Sequence, residues 1–142
     1  MFKTLLWATD GSPEAEAAVQ FALPFLDHDG HLVAFHCDQR LNGPHVAGEP
    51  VLPDEPERLE RIEAQVAMLR QAGVDAELRI ATSRSEPAAE INAAATEVEV
   101  DAIVCGTRSL HGLPGLLNGS VSARVLRHAT VPVIVVPAAG GK

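Results

Sequence analysis

Glycine and serine residues near the C-terminal end of the chain are spaced in a way that could bind a phosphate. Gly106-Thr107-Arg108-Ser109 is followed by nine residues and then by Gly119-Ser120. The first group follows an apolar run typical of a buried strand (102–105), and the second begins a short helical pattern (119–129). Such a loop presents free backbone N–H groups and the positive end of a helix dipole. The segment therefore predicts a phosphate-binding loop.

A second polar segment, Thr9-Asp10-Gly11-Ser12, also stands where a strand (2–9) is followed by a helical pattern. Ser12 can cap that helix, and Pro13 suits its first position. Because the carboxyl ends of parallel strands open on one edge of a sheet, we expect the two polar segments to face each other. Purely structural roles are the alternative: Asp10 would then hydrogen-bond the turn.

The same alternative applies to the C-terminal segment. Ser120 can cap the fourth helix, with or without a phosphate contact. Ser109 could belong to a plain loop, and Arg108 could be a solvated side chain instead of a cation for a phosphate. Among the histidines, His36 lies in an apolar strand pattern, so we interpret it as a hydrogen-bonded core residue.

Other common site signatures are absent from the sequence. It contains no P-loop, no G-x-G-x-x-G after the first strand, no G-x-S-x-G and no H-E-x-x-H. The two cysteines, Cys37 and Cys105, have neither metal nor redox spacing, and each ends an apolar run, which favours small buried residues that are not paired in a disulfide. This cysteine usage predicts a cytoplasmic protein.

Length and charge narrow the class of protein. The 142 residues suit one domain, 1–142, and 46% of them are hydrophobic. A net charge of −8 disfavours nucleic acid as a partner, although a small nucleotide could still be held by amides and a few local cations. No apolar run approaches the length of a membrane span, and Asp10 ends the N-terminal run too early for a signal peptide.

Strand and helix patterns alternate along the whole chain. The predicted strands are 2–9, 31–37, 74–81, 101–106 and 133–136. The predicted helices begin at Pro13 after the Ser12 cap, at Pro56, at Ser85 or Glu86, and at Gly119. Residues 27–30 are predicted to be a turn, and residues 38–56 a long surface loop. This alternation predicts an α/β fold with one five-stranded parallel sheet, strand order 3-2-1-4-5, and helices on both faces. The topological switch between strands one and four is the expected ligand site.

The motifs together resemble those of the universal stress protein family, over residues 2 to about 137. Nucleotide-binding members carry G-x-x-G, nine residues, then G-[ST], and this chain carries the same spacing with Ser109 in place of the second glycine and Arg108 in place of a common histidine. The resemblance implies a Rossmann-like fold similar to the adenine nucleotide alpha hydrolases. It also implies a homodimer formed through the edge strand Val133–Val136.

The resemblance further implies an adenine-nucleotide site. Its residues would be Ala8, Thr9, Asp10, Cys37, Cys105, Gly106, Arg108, Ser109, Gly119, Ser120, Val121 and Ser122. The implied ligand is ATP, or AMP or ADP, with Mg²⁺ near Asp10, in a regulatory binding module for stress response rather than an enzyme. The open alternatives are slow ATP hydrolysis or self-phosphorylation at Ser120 or Ser122, and a member that has lost nucleotide binding and works through unknown protein partners.

Overall fold

A computed structural model describes residues 1–38, 45–46, 49–50, 55–82, 86–107 and 121–137. The strands are β1 (Phe2–Ala8), β2 (Leu26–Cys37), β3 (His45–Val46), β4 (Glu49–Pro50), β5 (Asp75–Ala81), β6 (Ala102–Gly106) and β7 (Val133–Val136). The helices are α1 (Pro13–Ala22), α2 (Glu55–Gln71), α3 (Pro87–Val98) and α4 (Val121–His128), and a 3-10 turn (Leu23–Phe25) follows α1.

Five strands form one parallel sheet in the order β5-β2-β1-β6-β7. In chain order these are the third, second, first, fourth and fifth long strands, so the predicted order 3-2-1-4-5 is confirmed. The sequence predicts a loop over 38–56, but this region contains the short antiparallel pair β3-β4. In the described part of the chain, no helix is long and apolar enough to cross a bilayer.

The prediction of a turn at 27–30 is wrong, because β2 begins at Leu26 and runs through these residues. Between the register pairs Phe2–Leu26 and Thr4–His31, β1 contributes one residue and β2 contributes four, so β2 has a bulge here. A 2.8 Å ion pair between Lys3 Nζ and Asp27 Oδ2 links the bulge to β1. The composition Asp-His-Asp-Gly is typical of turns, but the strand partner of the segments on either side of it is β1, which is distant in sequence.

The helices cover both faces of the sheet and enclose two apolar clusters. On one face, α1 and α2 pack over a cluster that includes Trp7, Val104 and Ile62, all fully buried. On the other face, α3 and α4 pack over a cluster that includes Leu6 and Phe35. Alternate residues of one strand point to opposite faces, which is why Leu6 and Trp7 belong to different clusters.

The capping residues that the sequence indicates at the ends of α1 and α2 are found in the structure. The Ser12 side chain accepts a 3.1 Å hydrogen bond from the Ala15 N–H, and Pro13 is the first residue of α1. Gly73 follows α2 with φ of +97°, a left-handed conformation that favours glycine. The Ser12 cap and Pro13 set where α1 begins, just after the turn that follows β1.

Candidate functional site

A cleft of about 360 Å³ opens at the carboxyl edge of the sheet, where the strand order reverses between β1 and β6. Its walls come from the ends of β1, β2 and β6 and from the N-terminal parts of α1, α3 and α4, with one residue from α2. The described residues that line it are Ala8, Thr9, Asp10, Ser12, Glu14, Ala15, Phe35, His36, Cys37, Arg58, Pro87, Ile91, Cys105, Gly106, Val121 and Ser122. In open α/β sheets, ligands bind at such switch points.

The structure brings together eight of the twelve residues that the sequence predicts for the site. Ala8, Thr9, Asp10, Cys37, Cys105, Gly106, Val121 and Ser122 all line this one cleft. The other four, Arg108, Ser109, Gly119 and Ser120, lie outside the described residues. The described eight come from four separate elements or their ends, so their proximity is a product of the topology.

The turn after β1 is held by its own side chains. Asp10 Oδ1 accepts a 3.0 Å hydrogen bond from the Ser12 N–H, and Thr9 Oγ1 accepts one of 3.1 Å from the Gly11 N–H. Gly11 has φ of +79°. Asp10 therefore has the turn-stabilising role that the sequence allowed, and it also lines the cleft.

Gly106 is required by the packing of a helix as well as by its place in the glycine motif. A Cβ added at this residue would lie 2.6 Å from the carbonyl oxygen of Glu14 and 2.9 Å from its carbonyl carbon. Both atoms belong to the backbone in the first turn of α1, so they could move away only if the helix itself shifted. The absence of a side chain at Gly106 thus lets α1 approach β6 closely and form one wall of the cleft.

Two buried thiols lie in the cleft on either side of β1. Cys37 and Cys105 are both free, as the sequence predicts, and 8% and 5% of their surfaces are exposed. Burial raises the pKa of Cys37 to about 12, with a further increase from the nearby Glu90, and burial raises the pKa of Cys105 to about 11. Both side chains are therefore protonated and chemically inert at neutral pH.

We expect both thiols to resist alkylation in the folded protein. At pH 8, a pKa of about 12 leaves about one Cys37 thiol in 10⁴ ionised, and thiolate is the reactive form. Iodoacetamide labelling followed by mass spectrometry should show slow modification of the native protein and rapid modification of both residues in urea. Fast labelling of either cysteine without denaturant would contradict the burial of these thiols.

Sequence reasoning missed several residues of the cleft. Phe35, Pro87 and Ile91 supply apolar wall, and they carry no signal beyond their core-like patterns. Arg58 comes from α2, whose charged sequence is typical of a solvated helix face and therefore hides its role. His36 is the core residue that its pattern indicates, 2% exposed with Nδ1 3.0 Å from the Thr9 carbonyl oxygen, but it also reaches the cleft.

Among the described residues, no cluster of three or more histidine, cysteine, aspartate or glutamate side chains could hold a metal ion. Asp10 and Glu14 are the two carboxylates among the described residues lining the cleft.

Comparison with known proteins decides the family. The family model described as "Universal stress protein family" matches residues 1–137. The chain belongs to the universal stress protein family. A universal stress protein of Thermus aquaticus is 35% identical over 141 residues, covering 96% of this chain and 99% of that one.

Solved universal stress proteins share the fold. The protein from Archaeoglobus fulgidus in complex with dAMP has a TM-score of 0.69 and 27% identity, covering 95% of this chain and 97% of that one. A universal stress protein in complex with cAMP also has a TM-score of 0.69, with 24% identity and coverage of 97% and 98%. Both of these proteins hold an adenine nucleotide, and both match nearly the full length of the chain.

Proposed function

We propose that this protein binds an adenine nucleotide in the cleft and acts as a regulatory binding module in stress response. The observation that carries the proposal is the convergence of eight predicted binding residues on one cleft at the switch point of the sheet. The complex of the Archaeoglobus fulgidus relative with dAMP supports the choice of ligand class.

The two sides of the cleft differ in a way that suits a nucleotide. Phe35, Cys37 and Ile91 belong to the apolar cluster under α3 and α4, and they offer a surface for a base. Asp10, Ser12, Glu14 and Arg58 supply polar groups on the side of α1 and α2. Pockets of this kind bind a ligand by apolar area and orient it by a few polar groups.

The phosphates belong, in this proposal, at the start of α4. Val121 and Ser122 in its first turn line the same cleft as Gly106. A helix N-terminus stabilises negative charge and offers free N–H groups. Ser109, Gly119 and Ser120, which lie outside the described residues, would contribute further donors to the phosphates, and Arg108, also outside them, would supply a cation. Asp10 would hold a nucleotide-bound Mg²⁺ when the ligand is ATP.

Asp10 variants test this assignment. We expect Asp10→Ala to lower ATP affinity about tenfold or more, because it removes both the turn acceptor for the Ser12 N–H and the carboxylate. Asp10→Asn keeps an acceptor at the same place, so it should retain the turn and lose only the Mg²⁺ dependence of binding. Calorimetric titration with and without Mg²⁺ measures both effects. Wild-type affinity in both variants would contradict a site at Asp10.

We also propose a homodimer formed through β7. The two edge strands of the sheet differ in charge. At the β5 edge, Asp75, Glu77 and Arg79 form ion pairs with His31 or with each other. At the other edge, β7 has the uncharged sequence Val-Ile-Val-Val. Charged edges discourage pairing with another chain, and short apolar edges permit it. β7 therefore offers the free edge that a second copy could extend.

The dimer is tested at Val135. The N–H groups of Ile103 in β6 and of Thr107 directly after it donate to the carbonyl oxygens of Pro132 and Val136. Backbone groups alternate in direction along a strand, so the N–H of Val135 points away from β6. Val135→Pro should remove an intermolecular donor and keep the sheet within the chain. Light scattering should give twice the chain mass of 15.0 kDa for wild type and the single mass for the variant. A monomeric wild type across micromolar concentrations would contradict the dimer.

The proposal also includes a cellular location and a way of acting on other proteins. The free, buried Cys37 and Cys105 suit a reducing compartment, which supports a cytoplasmic location. Protein partners would recognise the nucleotide-loaded state, since a regulatory module without its own reaction must act through contacts.

A further inference from the structure

The cleft contains a cation that belongs neither to the glycine motif nor to the turn after β1. Among the described residues lining the cleft, Arg58 is the only arginine or lysine, and it faces a site that also contains the carboxylates of Asp10 and Glu14. The protein as a whole has a net charge of −8. This negative charge repels a ligand that carries phosphate, and the positive charge of Arg58 offsets the repulsion within the cleft.

The position of Arg58 is set by close packing of α2 on the turn after β1. A Cβ added at Gly11 would lie 3.1 Å from the Arg58 carbonyl oxygen, 3.3 Å from Arg58 Cγ and 3.2 Å from Ile62 Cγ1. Three residues further along α2, Arg61 Nε donates a 3.3 Å hydrogen bond to the Gly11 carbonyl oxygen. The stem of Arg58 therefore rests on Gly11, and its half-buried side chain reaches the cleft.

We infer that Arg58 is a specificity-determining residue that makes this cleft prefer phosphorylated adenosine to unphosphorylated adenosine. The inference rests on the proposed nucleotide site. A guanidinium favours a phosphate by charge and by its planar set of donors, and it gives no comparable advantage to a neutral nucleoside. Arg58 thus adds charge selection to a cleft whose apolar wall binds AMP and adenosine alike.

The test compares AMP with adenosine, without Mg²⁺, in the wild type and in Arg58→Gln. If Arg58 contacts the phosphate at this partly solvated site, removing its charge changes affinity about tenfold, equivalent to about 1.4 kcal/mol. By calorimetry at low salt, we expect the ratio of AMP affinity to adenosine affinity to fall about tenfold in the variant. Arg58→Lys, which keeps the charge, should lose much less of the ratio.

Arg61→Gln is the matched control because Arg61 lies on the same helix, contacts the same turn and does not line the cleft. It should change the ratio less than about twofold. Arg58→Met, which keeps the aliphatic stem over Gly11, should reproduce the fall seen in Arg58→Gln and replaces it if that variant does not fold. An unchanged ratio in both neutral variants, or an equal fall in Arg61→Gln, would overturn the role of Arg58.

Failure of this inference differs visibly from failure of the proposed function. If the wild type binds AMP and adenosine but the neutral Arg58 variants keep the same ratio, the nucleotide site stands and Arg58 does not select. If the wild type binds neither ligand, the nucleotide site itself is contradicted, and the inference with it.

Discussion

Replacing Trp7 with alanine is expected to lower the free energy of unfolding by about 3–5 kcal/mol. Trp7 is fully buried beneath α1, and its indole N–H donates a 2.9 Å hydrogen bond to the Ala15 carbonyl oxygen. The substitution leaves a cavity where the sheet, α1 and α2 meet. Because a domain of this size is stabilised by about 5–15 kcal/mol in total, such a loss is a large fraction of its stability.

The loss is measured by urea unfolding followed by far-ultraviolet circular dichroism, since Trp7 is the only tryptophan and its fluorescence disappears with it. Trp7→Phe keeps one ring and removes the hydrogen bond, so it should cost less than alanine and still fold. Phe21→Ala is the control, because the Phe21 side chain is 54% exposed. Among the aromatic rings of the described residues it contacts only Phe25, and such a ring contact is worth at most about 1.5 kcal/mol. Equal losses in Trp7→Ala and Phe21→Ala would contradict the packing.

The second large effect is expected at Gly106. Gly106→Ala places a methyl group 2.6 Å from the Glu14 carbonyl oxygen, so the first turn of α1 must move away from β6. Overpacking of this kind costs about 1–3 kcal/mol, and Gly106→Val should cost more. Glu14 and Ala15 line the cleft, so we also expect nucleotide affinity to fall at least about tenfold.

Gly73→Ala is the matched control for Gly106. A Cβ at Gly73 meets nothing within 4 Å, and its cost, about 1–2 kcal/mol, comes only from the left-handed backbone at φ of +97°. Both variants should therefore lose stability in urea titrations, but only Gly106→Ala should lose nucleotide affinity. A Gly106→Ala protein with wild-type affinity would mean that the approach of α1 to β6 does not shape the cleft.

Much of the fold follows from local patterns that are visible in the sequence. The bounds of β7 are those of its apolar run between prolines, and α1 begins at Pro13 after the Ser12 cap because both signals are short-range. The alternation of strands and helices implies a parallel sheet, and handedness restricts the possible strand orders. Local chemistry and topology together therefore predict where the carboxyl edge lies and which turns meet there.

Features that depend on distant partners could not be predicted in the same way. Residues 27–30 belong to β2, which pairs with β1 on either side of them, whereas the composition of that segment alone indicates a turn. Gly106 could be assigned to the glycine motif, but the contact that forbids a side chain comes from Glu14, 92 positions earlier. Arg58 reaches the cleft because α2 crosses Gly11, and nothing in the local sequence of α2 indicates that crossing.

The most direct test of the central claim is the ligand content and nucleotide affinity of the purified protein. Denaturing extraction and mass spectrometry identify any bound small molecule, and calorimetry of the stripped protein with ATP, AMP and GTP measures affinity and stoichiometry. We expect one adenine nucleotide per chain, with tighter binding of adenine than of guanine nucleotides. Protein that is purified empty and ignores added ATP and AMP would contradict a nucleotide site in this cleft and would favour a universal stress protein that works through protein contacts alone.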